Sequence, residues 1–264
     1  ELVGQPNTRS LDEIRGAMEH CYAAFEALCA DFTDDEWRAQ SLCPDWTVRG
    51  VVDHVTSIEA VMAGWLPDDV TTLPPFERAG EFLADTTPYV DKVRGVYDLR
   101  RRDLAALTEE DLDRPSWMPV GPGTYGQFLA IRVFDFWVHE RDTATPLAIA
   151  TDDTGVDAEI ALAEVEGSLG YIVGKKVALP DGTSIAFHLT GPIVRDFNVA
   201  VDGKAKIVDH LEHPDVEIIA ESTTFIQLAC GRIDPQGAID SGAITWNGDA
   251  ELGERAAHNL RFTM

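Results

Sequence analysis

The sequence predicts an α+β protein of two domains: a four-helix bundle over residues 1–148, then a small α+β domain with a mainly antiparallel sheet over 149–264. Three observations lead there. Apolar residues of the first half recur every three to four positions, the repeat of helices with one buried face. After about residue 150 the texture changes to short β-like runs punctuated by glycine. Hydrophobic residues make up 45% of the chain, enough to fill a core in each part.

The elements follow in order. Ser10 caps a first helix, and Glu13 three residues on completes a capping-box pattern. Ile14, Ala17, Cys21, Ala24 and Leu28 form its inward stripe. A second helix runs from Thr47 to Trp65, with Val48, Val51, Val52, Val55, Ile58, Met62 and Trp65 inward. The proline-rich acidic stretch "LPDDVTTLPPFERAG" predicts a loop. A third helix covers Pro88 to Leu107, and "DRPSWMPVGPGTYG" is a second loop. The fourth helix spans Thr124 to Thr143. Four long amphipathic helices joined by loops make a bundle. Around "PLAIATDD", residues 146–153, the organisation changes. One more helix, "DAEIALAEVEGSLGYIV", leads into the strand candidates "SIAFHLTG", "DFNVAVDG", "AKIVDH", "VEIIAE" and "AITWNG". A helix over "STTFIQLACGR" separates the last two and stops at Gly231, and "DAELGERAAHNL" closes the chain as a helix.

Bulk properties exclude some functions. Twenty-one Lys and Arg against 46 Asp and Glu give a formal charge of −25, which repels nucleic acid and anionic membranes. No apolar run is long enough to span a bilayer, and "ELVGQPNTRS" has no charged-then-apolar leader. Cys21, Cys29, Cys43 and Cys230 form no CxxC pair and read as reduced thiols. The expected location is cytoplasmic, the expected state a monomer or homodimer, and the expected partners are small molecules.

Chemistry enters with "CPDWTVRGVVDHV", residues 43–55. His54 stands on the apolar face of the second helix between Val51 and Ile58. In the fourth helix Phe128, Ile131 and Val138 mark the inward face, and Asp135 shares it, with His139 one turn on. A carboxylate inside Phe-Asp-Phe-Trp-Val is costly to bury unless a positive group meets it. Two imidazoles and one carboxylate suit Zn²⁺ or a similar divalent ion and leave a coordination position open. Spacing alone equally supports a buried Asp135–His139 ion pair with His54 elsewhere.

The segment "CPDWTVRGVVDHV" resembles the Cys-Pro-x-Trp-Ser/Thr-Val signature, ending in His-Val/Leu, of the mycothiol-dependent maleylpyruvate isomerase family. "RVFDFWVHERD" is similar to that family's second signature, normally Glu-x-x-x-His. "VEIIAESTTFIQLACGRIDPQGAIDSGAITWNGD" resembles the sterol carrier protein-like domain that members often carry. The resemblance implies a DinB-like metal-binding bundle in which His54, Asp135 and His139 are the ligands. It departs at Asp135, one methylene shorter than the usual glutamate. It also implies an arginine of the C-terminal domain near the metal, for which Arg232 is the candidate. The alternative for Arg232 is a helix-end residue satisfying carbonyls. The implied co-substrate is mycothiol or another low-molecular-weight thiol, and the implied reaction an isomerisation or S-transfer. Rival readings are a binder of small apolar ligands with a structural metal, and a regulatory member whose metal site is lost.

Lesser candidates surround this set. Asp142 can orient His139, and Arg132 can pair with Asp135. Asp53 and Glu140 neighbour the histidines in sequence but point away, with Glu140 expected at the surface. Trp46, Trp117 and Cys43 read as packing residues, with Trp117 also placed to wall a cleft. No Ser-His-Asp set, phosphate loop or dinucleotide fingerprint is present.

Overall fold

A computed structural model of the protein describes residues 9–263, so most of the segment read above as lacking a leader lies outside the described residues. Two compact units form, one ending at Ala161 and the other beginning at Leu162. The expected boundary at 148/149 falls in the stretch before the helix that runs from one unit into the other.

The first unit is built on four long helices: α1 (Leu11–Ala30), α3 (Val48–Met62), α5 (Tyr89–Ala106) and α6 (Tyr125–Ala144). Each starts within a residue or two of the predicted position. Ser10 and Glu13 form the reciprocal capping box of α1, and Thr124 with Gln127 does the same for α6. Helix α6 is the central rod and is buried along nearly its whole length. Aromatic rings fill the middle of the bundle. Tyr22 stacks on Tyr97 at 4.8 Å, and Phe136 meets Tyr22 and Phe25 edge-on at 5.5 and 5.3 Å.

Several short elements lie outside the predicted set. Helix α2 (Asp34–Arg38) has its own capping box from Thr33 and Glu36. Helix α4 (Glu77–Ala84) begins inside the stretch expected to be loop throughout. Pro74 and Pro75 end the irregular part, and the residues after them propagate a helix that buries Phe82. In the second predicted loop, β1 (Pro115–Ser116) and β2 (Gly123–Thr124) pair as a minimal antiparallel ribbon. Trp117 there packs on Phe76 and Phe128.

Helix α7 (Gly155–Gly167) leads into the second unit and is shorter than predicted. The chain continues as α8 (Leu169–Tyr171) and a π-helical turn, Ile172–Lys176. Gly170 lies in this segment against another stretch of backbone. A β-carbon there would stand 3.1 Å from the Ala205 carbonyl oxygen, so glycine lets the segment lie close against that backbone.

The sheet holds β3 (Ser184–Thr190), β4 (Arg195–Asp202), β5 (Lys204–Val208), β6 (Val216–Glu221) and β7 (Ile244–Gly248) in the order β5-β4-β3-β6-β7. Only the β3–β6 pair is parallel, so the expected mainly antiparallel sheet is what forms. Ile185, Phe187 and Leu189 of β3 and Val216, Ile218 and Ala220 of β6 face the core. Phe225 of α9 (Ser222–Ala229) packs against Phe187 at 5.4 Å. Gly231, with φ +66°, stops α9 as predicted. Helix α10 (Pro235–Asp240), with Asp234 as cap and Pro235 at the first position, was not predicted. Helix α11 (Ala250–His258) ends the unit.

Candidate metal centre

The turn before α3 is tied down from both sides. Gln40 Nε2 donates to the carbonyls of Cys43 and Trp46 at 2.8 and 2.9 Å, and Ser41 Oγ donates to that of Trp46 at 2.7 Å. The Leu42 amide donates to the Asp142 carbonyl at 3.0 Å, which fastens the turn to α6. Thr47 then caps α3 through the Gly50 amide. Gly50 has a packing reason: a β-carbon there would lie 3.3 Å from Trp46 Cβ. The Trp46 ring therefore folds back along α3, 4.7 Å from the His54 ring and 5.9 Å from that of His139.

Helices α3 and α6 bring the three predicted ligands together. His54 Nε2 lies 3.6 Å from Asp135 Oδ2, and His139 Nε2 lies 3.3 Å from Asp135 Oδ1. One ligand atom from each of the three lies within 4.8 Å of the others. A tetrahedral zinc ion with bonds near 2.0–2.2 Å sets its ligand atoms about 3.3–3.6 Å apart. The separation of His139 Nε2 from Asp135 Oδ1 matches that spacing, and His54 completes a set of ligand atoms within 4.8 Å, so the residues fit a divalent ion. The His139 side chain is 6% exposed while those of His54 and Asp135 are 31% and 23% exposed, so the trio is closed on one side and open on the other.

His139 is the anchored ligand. Its Nδ1 is 2.8 Å from Asp142 Oδ2, and Cys43 Sγ donates to the same oxygen at 3.2 Å. A proton held on Nδ1 by Asp142 leaves the Nε2 lone pair for an ion, the usual carboxylate–histidine–metal arrangement. Cys43, His139 and Asp142 form a second group whose atoms lie close enough to share an ion, fully buried.

The electrostatics agree with a cation site. Burial penalises the Asp135 carboxylate, but His139 and Arg132 outweigh it and hold its pKa well below the usual range. Burial likewise opposes charge on His139, yet Asp135 and Asp142 hold its pKa well above the usual imidazole value. The pocket thus attracts positive charge, whether a proton or a metal ion.

Arg132 pairs with Asp135 Oδ2 at 2.7 Å, as its spacing suggested. Behind it lies a polar centre that spacing alone did not reveal. Arg132 Nε meets Glu59 Oε1 at 2.8 Å, while Arg100 Nε and the Tyr22 hydroxyl reach Glu59 Oε2 at 2.8 and 2.6 Å. The Arg100 and Glu59 side chains are 0% exposed. Burial pushes the Glu59 carboxyl up, but its two arginines more than reverse that and lower it. Glu59 falls four residues after Val55 and three before Met62, so a charge on the inward stripe of α3 was the available signal.

Other candidates fall out as follows. Asp53 turns away from the trio and accepts from Tyr89 at 2.8 Å. Glu140, expected at the surface, is buried and paired with Arg141 at 3.1 Å, because α6 is covered on nearly every side. All four cysteines are buried thiols with no disulfide. Arg232 belongs to the second unit, after α9, and its Nη1 donates to the Cys230 carbonyl at 2.8 Å, the contact of a helix-end arginine. No helix among the described residues is long and apolar enough to cross a membrane.

A helical bundle with a histidine–carboxylate–histidine trio between two rods defines a metal-competent bundle protein followed by an α+β domain. Residues 18–144 match the mycothiol maleylpyruvate isomerase N-terminal domain, and residues 175–261 match the SCP-2 sterol transfer family. The N-terminal bundle belongs to the mycothiol maleylpyruvate isomerase N-terminal domain family, and the C-terminal domain to the SCP-2 sterol transfer family. The crystal structure of a mycothiol-dependent maleylpyruvate isomerase is similar over 92% of this chain and 95% of that one, at 18% identity and a TM-score of 0.57. That of a histidine-to-alanine variant covers the same shares at 17% identity and a TM-score of 0.56. Among curated proteins none matches by sequence.

Proposed function

We propose that the chain is a metal- and thiol-dependent enzyme acting on a small electrophilic molecule, with His54, Asp135 and His139 as the metal ligands. The observation that carries this is the meeting of the three ligand atoms from α3 and α6 within 4.8 Å, with the open side toward His54 and Asp135. Family membership supports the thiol-dependent isomerase class. A bound zinc-type ion would supply a Lewis-acidic position at which a thiol ionises near neutral pH.

The chain's own residues prepare that position. Asp142 fixes the His139 tautomer, Trp46 covers both imidazoles on one flank, and Arg132 steadies Asp135. The reaction class is addition of a thiolate to an electrophilic carbon. Addition to a cis double bond, rotation and elimination give isomerisation with the thiol returned. Release of the adduct gives S-transfer. Mycothiol is the thiol that family membership favours. We assign Arg232 to a substrate carboxylate by resemblance alone, since a guanidinium fork suits one. A second reading, carriage of a small apolar ligand by the C-terminal domain, is favoured by its SCP-2 match.

The test is elemental analysis of native protein beside His54→Ala and His139→Ala. Native protein is expected to carry stoichiometric metal and to consume an electrophile only with thiol present. Both variants should lose the metal and keep their circular dichroism in the helical bands. Full metal occupancy in both variants would remove the ligand assignment. Co-purifying lipid without any thiol effect would favour the carrier reading.

A further inference from the structure

Every long helix of the bundle sends one polar side chain to a single buried point. Tyr22 comes from α1, Glu59 from α3, Arg100 from α5 and Arg132 from α6. With Asp135 added, the charges alternate along one chain: Arg100, Glu59, Arg132, Asp135. Apolar residues of the same volume would hold a bundle together at least as well, so stability alone does not account for this arrangement. What a buried ionic chain supplies is a fixed geometry.

Arg132 is where that geometry meets the metal centre. Its side chain is 3% exposed, and all three of its donor nitrogens are engaged. Two bonds go to α3, Nε to Glu59 and Nη2 to the Val55 carbonyl at 3.3 Å. Val55 is the residue next to His54. The third, Nη1, goes to Asp135 Oδ2 at 2.7 Å. One planar guanidinium therefore spans from the helix of one ligand to the carboxylate of another. It bonds Oδ2, the oxygen 3.6 Å from His54 Nε2, and leaves Oδ1 on the side of His139 Nε2, 3.3 Å away.

We propose that Arg132 is a positioning residue: it makes Asp135 a one-oxygen ligand through Oδ1 and sets the spacing of Asp135 to His54. This rests on the metal reading above. Without the guanidinium, Oδ2 would lose its fixed partner and the carboxylate would be free to turn, to offer both oxygens to an ion or to swing away. A guanidinium serves here because it is a rigid fork with donors in fixed directions, and an ammonium cannot bridge three acceptors so placed.

Cobalt(II) is the probe, bound to the full chain after chelation and dialysis. Its dissociation constant is read by competition with a chelator, and its visible absorption reports coordination number. Arg132→Lys keeps the charge and loses the fork. It is expected to remain folded, bind cobalt about 10- to 100-fold more weakly, and absorb less intensely as coordination number rises. Glu59→Gln, which loosens Arg132 without touching Asp135, should move both readouts in the same direction by less. If either variant folds and both match wild type in affinity and spectrum, or if only the variants' melting temperatures change, Arg132 is structural and the proposal falls. If Arg132→Lys does not fold, Glu59→Gln decides alone by the same criteria. Wild-type protein that takes up no cobalt would overturn the metal reading itself, a result distinct from uptake that the variants equal.

Discussion

Asp142 touches no predicted ligand atom that would face an ion, yet it holds the other nitrogen of His139 at 2.8 Å. Replacement by asparagine keeps the shape and removes the charge that stabilises Nδ1–H. Asp142→Asn is expected to weaken metal binding by about 10- to 100-fold with little change in fold, read by chelator competition. Equal affinity in the variant would show that His139 needs no such partner. At this scale the sequence was partly legible. His54, Asp135 and His139 could be found because two imidazoles and an acid stood on stripes that should have been hydrocarbon. Asp142 and Arg132 were found as one-turn neighbours. Glu59, Arg100 and Tyr22 were not, because their partners lie 37 to 73 positions away in sequence, and no local spacing encodes such a meeting. Glu140 was misplaced for the opposite reason. Residues adjacent on a helix do point apart, but α6 has almost no solvent side to point toward.

Helix α7 carries a titratable group with a cost. Glu164 is half-buried there, and burial raises its carboxyl from 4.5 to about 7. The folded state therefore binds this proton more tightly than the unfolded chain does. Below about pH 4.5 the group is protonated in both states and costs nothing. The penalty grows as pH rises toward 7 and is complete above it. Glu164→Gln should thus raise the melting temperature at pH 8 and leave it unchanged at pH 4. Equal effects at both values would mean that packing, not ionisation, governs the site. Elements with caps were the most legible: Ser10, Thr47 and Thr124 mark the starts of α1, α3 and α6. The short helices escaped because two turns hold too few positions for a periodic pattern, although Asp234-Pro235 was a usable start signal for α10.

Across the whole molecule, 46 acidic groups against 21 basic ones repel one another. Screening shortens that repulsion, from roughly 30 Å at 0.01 M salt to about 10 Å at 0.1 M. Moderate sodium chloride is therefore expected to raise the melting temperature, and a fall would point to ion pairs as the larger influence. Two-part organisation was readable at this scale because period 3.6 gives way to period 2. The neighbour order of the strands was not. Runs such as "SIAFHLTG" and "VEIIAE" carry no mark that they will lie side by side in parallel, 31 residues apart in register. Strand β5 sits at the rim of that sheet, paired only with β4. A bare rim is a template on which a neighbouring molecule's chain can stack. Lys204 and Lys206 face water there, and α8 presses its glycine against Ala205. Cationic guards and a clamped helix make that border a poor seed for fibrous self-association, even though the interior strands beside it are rich in valine, isoleucine and phenylalanine.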